Sequence, residues 1–201
     1  MPRGFDDFEV VVVRLAASPE ELRELQQYLS ASELERAQRF FFERHRRRFI
    51  VARARLRRLL GERLGLPPGE VRLAYGANGK PRLADERLRF SVSHCGDVAL
   101  FALSKACELG VDIEALRPIA AADSIAANFF SRREKRAYAG ARDKVRVFLR
   151  FWTRKEALAK GIGGGLSLPP ETLDPASAPG WRVHSFFPLP GFIAAVACHS
   201  A

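Results

Sequence analysis

Soft and metal-seeking side chains are scarce in this 201-residue sequence, which has three cysteines, one methionine and four histidines. Cys95, Cys107 and Cys198 are odd in number and lack metal-ligand spacing. That excludes a disulfide scaffold and a zinc module, and points to a reducing, cytoplasmic setting. Long apolar runs are also missing. Phe192–Cys198 and Val98–Leu103 fall far below the ~18 residues of a membrane-spanning helix, so no membrane partner is expected. Met1–Val13 carries Asp6, Asp7 and Glu9 before a short valine run, which does not read as a secretory signal. There is no G-x-S-x-G elbow, and Ser93 and His94 face opposite ways on a strand, so a serine-hydrolase triad is not expected. Acidic residues are in deficit, at 23 against 33 Lys+Arg, a net charge of +10 that calls for an anionic partner. What is abundant is apolar: 47% hydrophobic residues with 28% charged excludes disorder for most of the chain. The length suits one large domain or two small ones.

The basic excess is concentrated. Eleven arginines lie between Arg36 and Arg63, over a helical stripe of Phe49, Ala52, Leu56, Leu59 and Leu60. Leu64-Gly65-Leu66-Pro67-Pro68 ends that helix. The arginines read either as a solvated face or as a phosphate-binding surface, because the guanidinium fork suits phosphate oxygens. No helix-turn-helix, zinc finger or aromatic-glycine RNA-binding signature accompanies them, so nucleic acid is not the expected partner.

Residues 9–14 read as a buried strand, and Ser18-Pro19-Glu20-Glu21 as a helix start. Ser30 or Ser32 opens the next helix. Glu70–Tyr75, Leu88–Ser93 and Val98–Leu103 read as strands, with a turn over Gly76–Pro81. After Lys105 the pattern restarts: a strand at Leu109–Ile113, helices at Ser124–Tyr138 and Lys144–Lys160, and strands near Trp181–Phe187 and Phe192–Cys198. The halves rhyme, with Phe41-Phe42 against Phe129-Phe130 and the glycine stops Gly65-Leu66 against Gly165-Leu166. The expectation is an α+β pseudo-dimer of two similar halves, 1–104 and 105–201, each a helix layer on a mainly antiparallel sheet. The cleft between them is the natural ligand site.

In Gly110-Val111-Asp112-Ile113-Glu114, the two carboxylates share one face of a strand. They repel unless a cation or protons sit between them, although an exposed strand end would also tolerate them. Glu156 and Lys160 have the spacing of a surface ion pair. They equally suit a third carboxylate for a hard cation with an ammonium for a phosphate, and Mg²⁺ fits such a set. Ser93 and His94 end a strand as donors to an anion, and Lys80 stands at the tip of the Gly79-Lys80-Pro81 turn. Gly161–Leu166 follows its helix, so it is a cap and turn and not a phosphate-cradling loop.

Taken in order, Gly79-Lys80-Pro81, FSVSHCGDVALFAL (90–103), GVDIE (110–114), NFFSRRE (128–134) and FWTRKEALAKGIGGGLSLP (151–169) resemble the 4′-phosphopantetheinyl transferase superfamily, Sfp type. The pair GVDIE and WTRKEALAK is highly specific, and the likeness spans nearly the whole chain. It implies a Mg²⁺-dependent enzyme that moves the 4′-phosphopantetheine arm of coenzyme A to a serine of an acyl or peptidyl carrier domain, releasing 3′,5′-ADP. Asp112, Glu114 and Glu156 match the metal ligands of the family. Glu156, directly or through a metal-bound water, also matches the base for the incoming serine, and Lys160 the group at the leaving phosphate. The resemblance further implies that Asp112, Lys160, Arg36, Arg44, Arg53, Gly79, Lys80, Pro81, Ser93 and His94 bind the coenzyme. Glu33 stands where some members carry a lysine toward the 3′-phosphate, which shifts that contact to Arg36 or another arginine. A monomer, an acidic carrier, and carrier docking over Ala115–Phe130 with Phe129 or Phe130 in contact complete the expectations.

Overall fold

Serines and glycines set the helix boundaries in the computed structural model, which describes residues 7–76, 79–164 and 173–200. The first half runs β1 (Glu9–Arg14), α1 (Pro19–Gln26), α2 (Ala31–Gln38) and α3 (Glu43–Leu64), then β2 (Leu73–Tyr75), β3 (Pro81–Leu83), β4 (Arg89–Cys95) and β5 (Val98–Ser104). The second runs β6 (Cys107–Ala115), α4 (Ala122–Phe129), α5 (Arg132–Ala139), α6 (Lys144–Ile162), β7 (Trp181–Phe186) and β8 (Phe192–Ser200). Ser18 caps α1, while Ser30 and Ser131 form reciprocal capping boxes with Glu33 and Glu134 at α2 and α5. Gly65 (φ 69°) ends α3 and Gly163 (φ 81°) ends α6, in the left-handed conformation that glycine adopts without strain.

Two three-stranded antiparallel sheets have the same order, β1-β5-β4 and β6-β8-β7, and β2 and β3 form a separate ribbon. The α+β architecture of two like halves is therefore present. β5 explains its own unbroken apolar run, for it is buried along its whole length. Ala99, Phe101 and Leu103 pack under α3, while Val98, Leu100 and Ala102 face Leu109, Val111, Ile113 and Val196 of the other sheet. That second cluster lies between the halves and binds them into one body. Arg89 of β4 pairs with Glu108 of β6 at 2.5 Å, and Arg182 of β7 pairs with Asp7, ahead of β1, at 2.9 Å. The two halves thus share one strand order, but they meet chiefly through β4 and β5 against β6, whereas β7 touches the chain ahead of β1 only lightly.

The repetition extends to buried polar groups. Arg57 of α3 bridges Glu33 Oε2 (2.8 Å) and the Val71 carbonyl (2.8 Å). Lys155 of α6 bridges Glu134 Oε2 (2.9 Å) and the Leu173 carbonyl (3.0 Å). In each half the capping-box glutamate is thereby locked to the long helix and to the segment after it, and its buried charge is paired.

Several expectations change in detail. β1 is a half-buried edge strand and not a buried one, because only β5 flanks it. The Glu70–Tyr75 strand shortens to β2, since Pro68–Glu70 takes a 3₁₀ turn. The Ser124–Tyr138 helix divides at Phe130, whose extended backbone (ψ 143°) lets Ser131 start α5. The Phe41-Phe42/Phe129-Phe130 rhyme is not a structural equivalence: Phe42 is 50% exposed and Phe130 is 4% exposed. The true correspondence is Ser30-to-Glu33 with Ser131-to-Glu134. The Gly165-Leu166 stop lies outside the described residues, as do Ala77 and Asn78 of the expected turn and Met1–Asp6 of the N-terminal reading.

Candidate active site

The alternation in Ser91-Val92-Ser93-His94-Cys95 puts Ser91, Ser93 and Cys95 on one face of β4. That face lies against β6. The Val111 N–H donates to Ser91 Oγ (3.1 Å), Ser93 Oγ donates to Asp112 Oδ1 (2.8 Å), and the Ala115 N–H donates to Cys95 Sγ (3.3 Å). Short polar side chains thus join the halves at β4 and β6, which belong to different sheets and share no backbone ladder.

α6 closes the site from the other side, packing on β6 and β8. Gly110 permits it. A Cβ there would lie 1.7 Å from the Ala157 carbonyl oxygen and 2.4 Å from the Gly161 nitrogen. The glycine of GVDIE is therefore a contact surface for the helix that carries Glu156 and Lys160. Lys160 Nζ donates to Asp112 Oδ1 at 2.6 Å and to Ser93 Oγ at 3.0 Å.

Asp112 is 5% exposed, and its second oxygen, Oδ2, is buried with no hydrogen-bond partner. An orphaned carboxylate oxygen is costly to keep, which is a reason to look for a missing cation. Glu114 and Glu156 converge on the same place. Desolvation raises the pKa of each above the ordinary carboxylate value, and Asp112 raises both further; Glu114 adds to the effect on Glu156. Among the described residues, no three acidic, imidazole or thiol groups are gathered tightly enough to hold a metal ion as they stand. Three bare carboxylates repel, and the Lys160 ammonium occupies the inner oxygen of Asp112. The donor set is nevertheless that of a hard divalent cation, all carboxylate oxygen with an unmet lone pair.

Beside these groups a cavity of about 640 Å³ opens between α3, β4, β5 and the end of β6. Phe49, Leu56 and Phe101 floor it, and Arg36, His45, Arg48, Arg53, His94 and Arg117 line it, against Glu114 as its one carboxylate. Arg53 is 9% exposed, and its Nη1 has no hydrogen-bond partner. Burial lowers the Arg53 pKa below its usual value, with Arg36 and Arg57 acting the same way. His94 stands at the rim. Desolvation, then Lys160 and Arg48, lower its pKa below the ordinary imidazole value. The cavity therefore has a cationic lining, with Arg53 alone buried among its cations, and leads to a carboxylate cluster.

Residues 15–106 match the family model described as 4′-phosphopantetheinyl transferase, N-terminal, and residues 108–194 match that of the 4′-phosphopantetheinyl transferase superfamily. The chain is 36% identical to the 4′-phosphopantetheinyl transferase HetI of Nostoc sp., over 96% of its own length and 87% of the relative's. It is 33% identical to a putative 4′-phosphopantetheinyl transferase of Synechocystis sp., with 80% and 72% covered. With the transferase Sfp of Bacillus subtilis it shares 30% identity over 76% and 68%. The chain belongs to the 4′-phosphopantetheinyl transferase superfamily.

In this transferase the expected site residues fall into two groups. Asp112, Glu114, Glu156, Lys160 and Ser93 come together at the seam, and Arg36, Arg53, Gly79, Pro81 and His94 line or rim the cavity. Lys80 and Arg44 do not line it. Lys80 Nζ faces the carbonyls of Leu109 and Gly161, while exposed Arg44 stacks over Phe42 and donates to His45 Nε2. Glu33 is buried against Arg53 and Arg57 as part of the α2 capping box, so it presents no charge to a ligand. Phe130 is packed on Phe148 in the core and cannot dock a partner, and Phe129 is half-buried against Trp152. His45, Arg48 and Arg117 were not singled out from the sequence. Only the direction in which α3 and the end of β6 face the cavity distinguishes them from their neighbours.

Proposed function

We propose that this transferase uses coenzyme A as donor and the serine hydroxyl of an apo acyl or peptidyl carrier domain as acceptor, with Mg²⁺, releasing 3′,5′-ADP. The observation that carries the reading is Asp112. Its buried Oδ2 is unpartnered beside Glu114 and Glu156, at the end of a cavity rimmed by cations. Asp112, Glu114 and Glu156 would hold the cation. Bound there, Mg²⁺ would neutralise charge on the pyrophosphate.

The chain's own residues supply the rest. Arg36, Arg53 and His94 bind and orient phosphate oxygens. The serine oxygen attacks the phosphorus that bears the pantetheine arm, and the bond from that phosphorus to the 5′-phosphate oxygen of the nucleotide breaks. Glu156 takes the serine proton. The Lys160 ammonium faces the charge that develops on the leaving phosphate. No covalent nucleophile on the enzyme is required.

The test is to incubate the protein with coenzyme A, Mg²⁺ and a panel of apo carrier domains and to weigh the carriers. A gain of about 340 Da, the mass of one cofactor-derived arm, is expected. No gain on any carrier would overturn the assignment. The basic surface also favours encounter with an acidic carrier.

A further inference from the structure

We infer that Lys80 is a positioning residue that clamps the end of α6 to β6 behind the carboxylates, and is not a ligand of the donor's phosphates. The inference rests on the proposed roles of Glu156 and Lys160.

Lys80 sits between Gly79 and Pro81, both of which line the cavity, yet its own ammonium turns away from it. Nζ donates to the Leu109 carbonyl at 3.0 Å and to the Gly161 carbonyl at 3.3 Å. These two acceptors flank the closest approach of helix and strand. Leu109 immediately precedes Gly110, and Gly161 immediately follows Lys160. Among the described residues, Lys80 is the donor that these two carbonyls share. Gly161 lies in the last turn of α6, where intrahelical N–H partners run out, and β6 is an edge strand of its sheet. A cation at a helix C-terminus is also favoured by the helix dipole.

One partly buried ammonium therefore reaches from the first half to the two elements that carry the carboxylates and Lys160. Losing it would remove that shared donor and release the last turn of α6 from β6. Lys160 lies in that turn, and its 2.6 Å contact with Asp112 depends on where the turn sits. Desolvation lowers the pKa of Lys80, in keeping with an enclosed amine and not a solvated arm waiting for an anion.

Two measurements test this. The first uses the wild-type protein: reductive methylation with formaldehyde, quantified per lysine by mass spectrometry, with and without saturating 3′,5′-ADP. Lys80 is expected to react at least tenfold more slowly than exposed Lys105 and Lys135 in both states, with less than a twofold effect of nucleotide. A Lys80 that reacts freely alone and is protected by nucleotide would overturn the inference. The second uses Lys80→Met: kcat for carrier loading should fall at least tenfold, while the Kd for 3′,5′-ADP by calorimetry stays within threefold. An unchanged kcat, or a tenfold weaker Kd with kcat retained, overturns the positioning role. The labelling needs no variant, so it decides even if Lys80→Met does not fold. A wild type that neither binds 3′,5′-ADP nor loads a carrier would sink the proposed reaction, and the positioning role with it. One that does both but shows a nucleotide-protected Lys80 would sink the positioning role alone.

Discussion

Gly110→Ala should damage catalysis far more than folding. The new methyl carbon would stand 1.7 Å from the Ala157 carbonyl oxygen and 2.4 Å from the Gly161 nitrogen. Both are backbone atoms, so no side chain can rotate aside. A tolerable carbon–oxygen contact is about 3.3 Å, so strand and helix must part by roughly 1.5 Å. Overpacking of this kind costs about 1–3 kcal/mol. For a chain of this size that lowers the melting temperature by roughly 3–10 °C. The chemistry is more sensitive, because the same displacement carries Glu156 and Lys160 away from Asp112, and a 1 Å misplacement can cost on the order of 100-fold in rate. The assay is a thermal melt by circular dichroism beside initial rates of carrier loading at saturating coenzyme A. A folded variant with kcat reduced about 100-fold is expected. A variant that melts within a degree of wild type and retains a third of its rate would refute the close-approach argument.

Other outcomes follow from the same geometry. Asp112→Ala or Glu156→Ala should abolish carrier loading with the protein still folded, and EDTA should stop wild-type loading until Mg²⁺ is restored. In metal-free buffer, Glu156→Gln should raise thermal stability at neutral pH. The Glu156 pKa is raised by folding, so the native state holds more protons than the unfolded one between the two pKa values, and stability falls as pH rises through that interval. The gain over wild type should therefore vanish below the ordinary carboxylate pKa, and a pH-independent difference would contradict it. Glu134→Ala should cost about 3–5 kcal/mol in a denaturant titration by stranding buried Lys155, and a loss below 1 kcal/mol would count against the clasp. Phe130→Ala should cost about 3–5 kcal/mol, whereas Phe41→Ala, at an exposed side chain, should stay within about 0.5 kcal/mol.

Much of the architecture is legible in local pattern. A short unbroken apolar run locates β5, helical spacings locate α3 and α6, and the restart after Lys105 announces two halves. The carboxylates of GVDIE share a strand face because Asp112 and Glu114 are two apart, which needs no tertiary information. What local pattern does not carry is where a long side chain points across the seam. Lys80 reads as a solvated tip or a phosphate ligand, yet its acceptors lie 29 and 81 residues away in sequence. The Phe129-Phe130 pair shows the same limit. Two adjacent aromatics on one short segment differ in burial because the helix breaks between Phe130 and Ser131. Glu33 is opaque for a related reason: its charge is met by arginines 20 and 24 positions on, brought inward by α3.

In a true twofold dimer, whatever is written into one junction is automatically written into the other. Here both like halves lie on one chain, and that constraint is gone. β6 carries Asp112 and Glu114, whereas its counterpart β1 carries only valines between Glu9 and Arg14. Among the described residues, the proposed carboxylate set is therefore present at one junction and not repeated at the other, marked by Arg182 and Asp7. Evolution or an engineer can reinforce that silent junction without meeting the conflict between rigidity and turnover that governs its active twin.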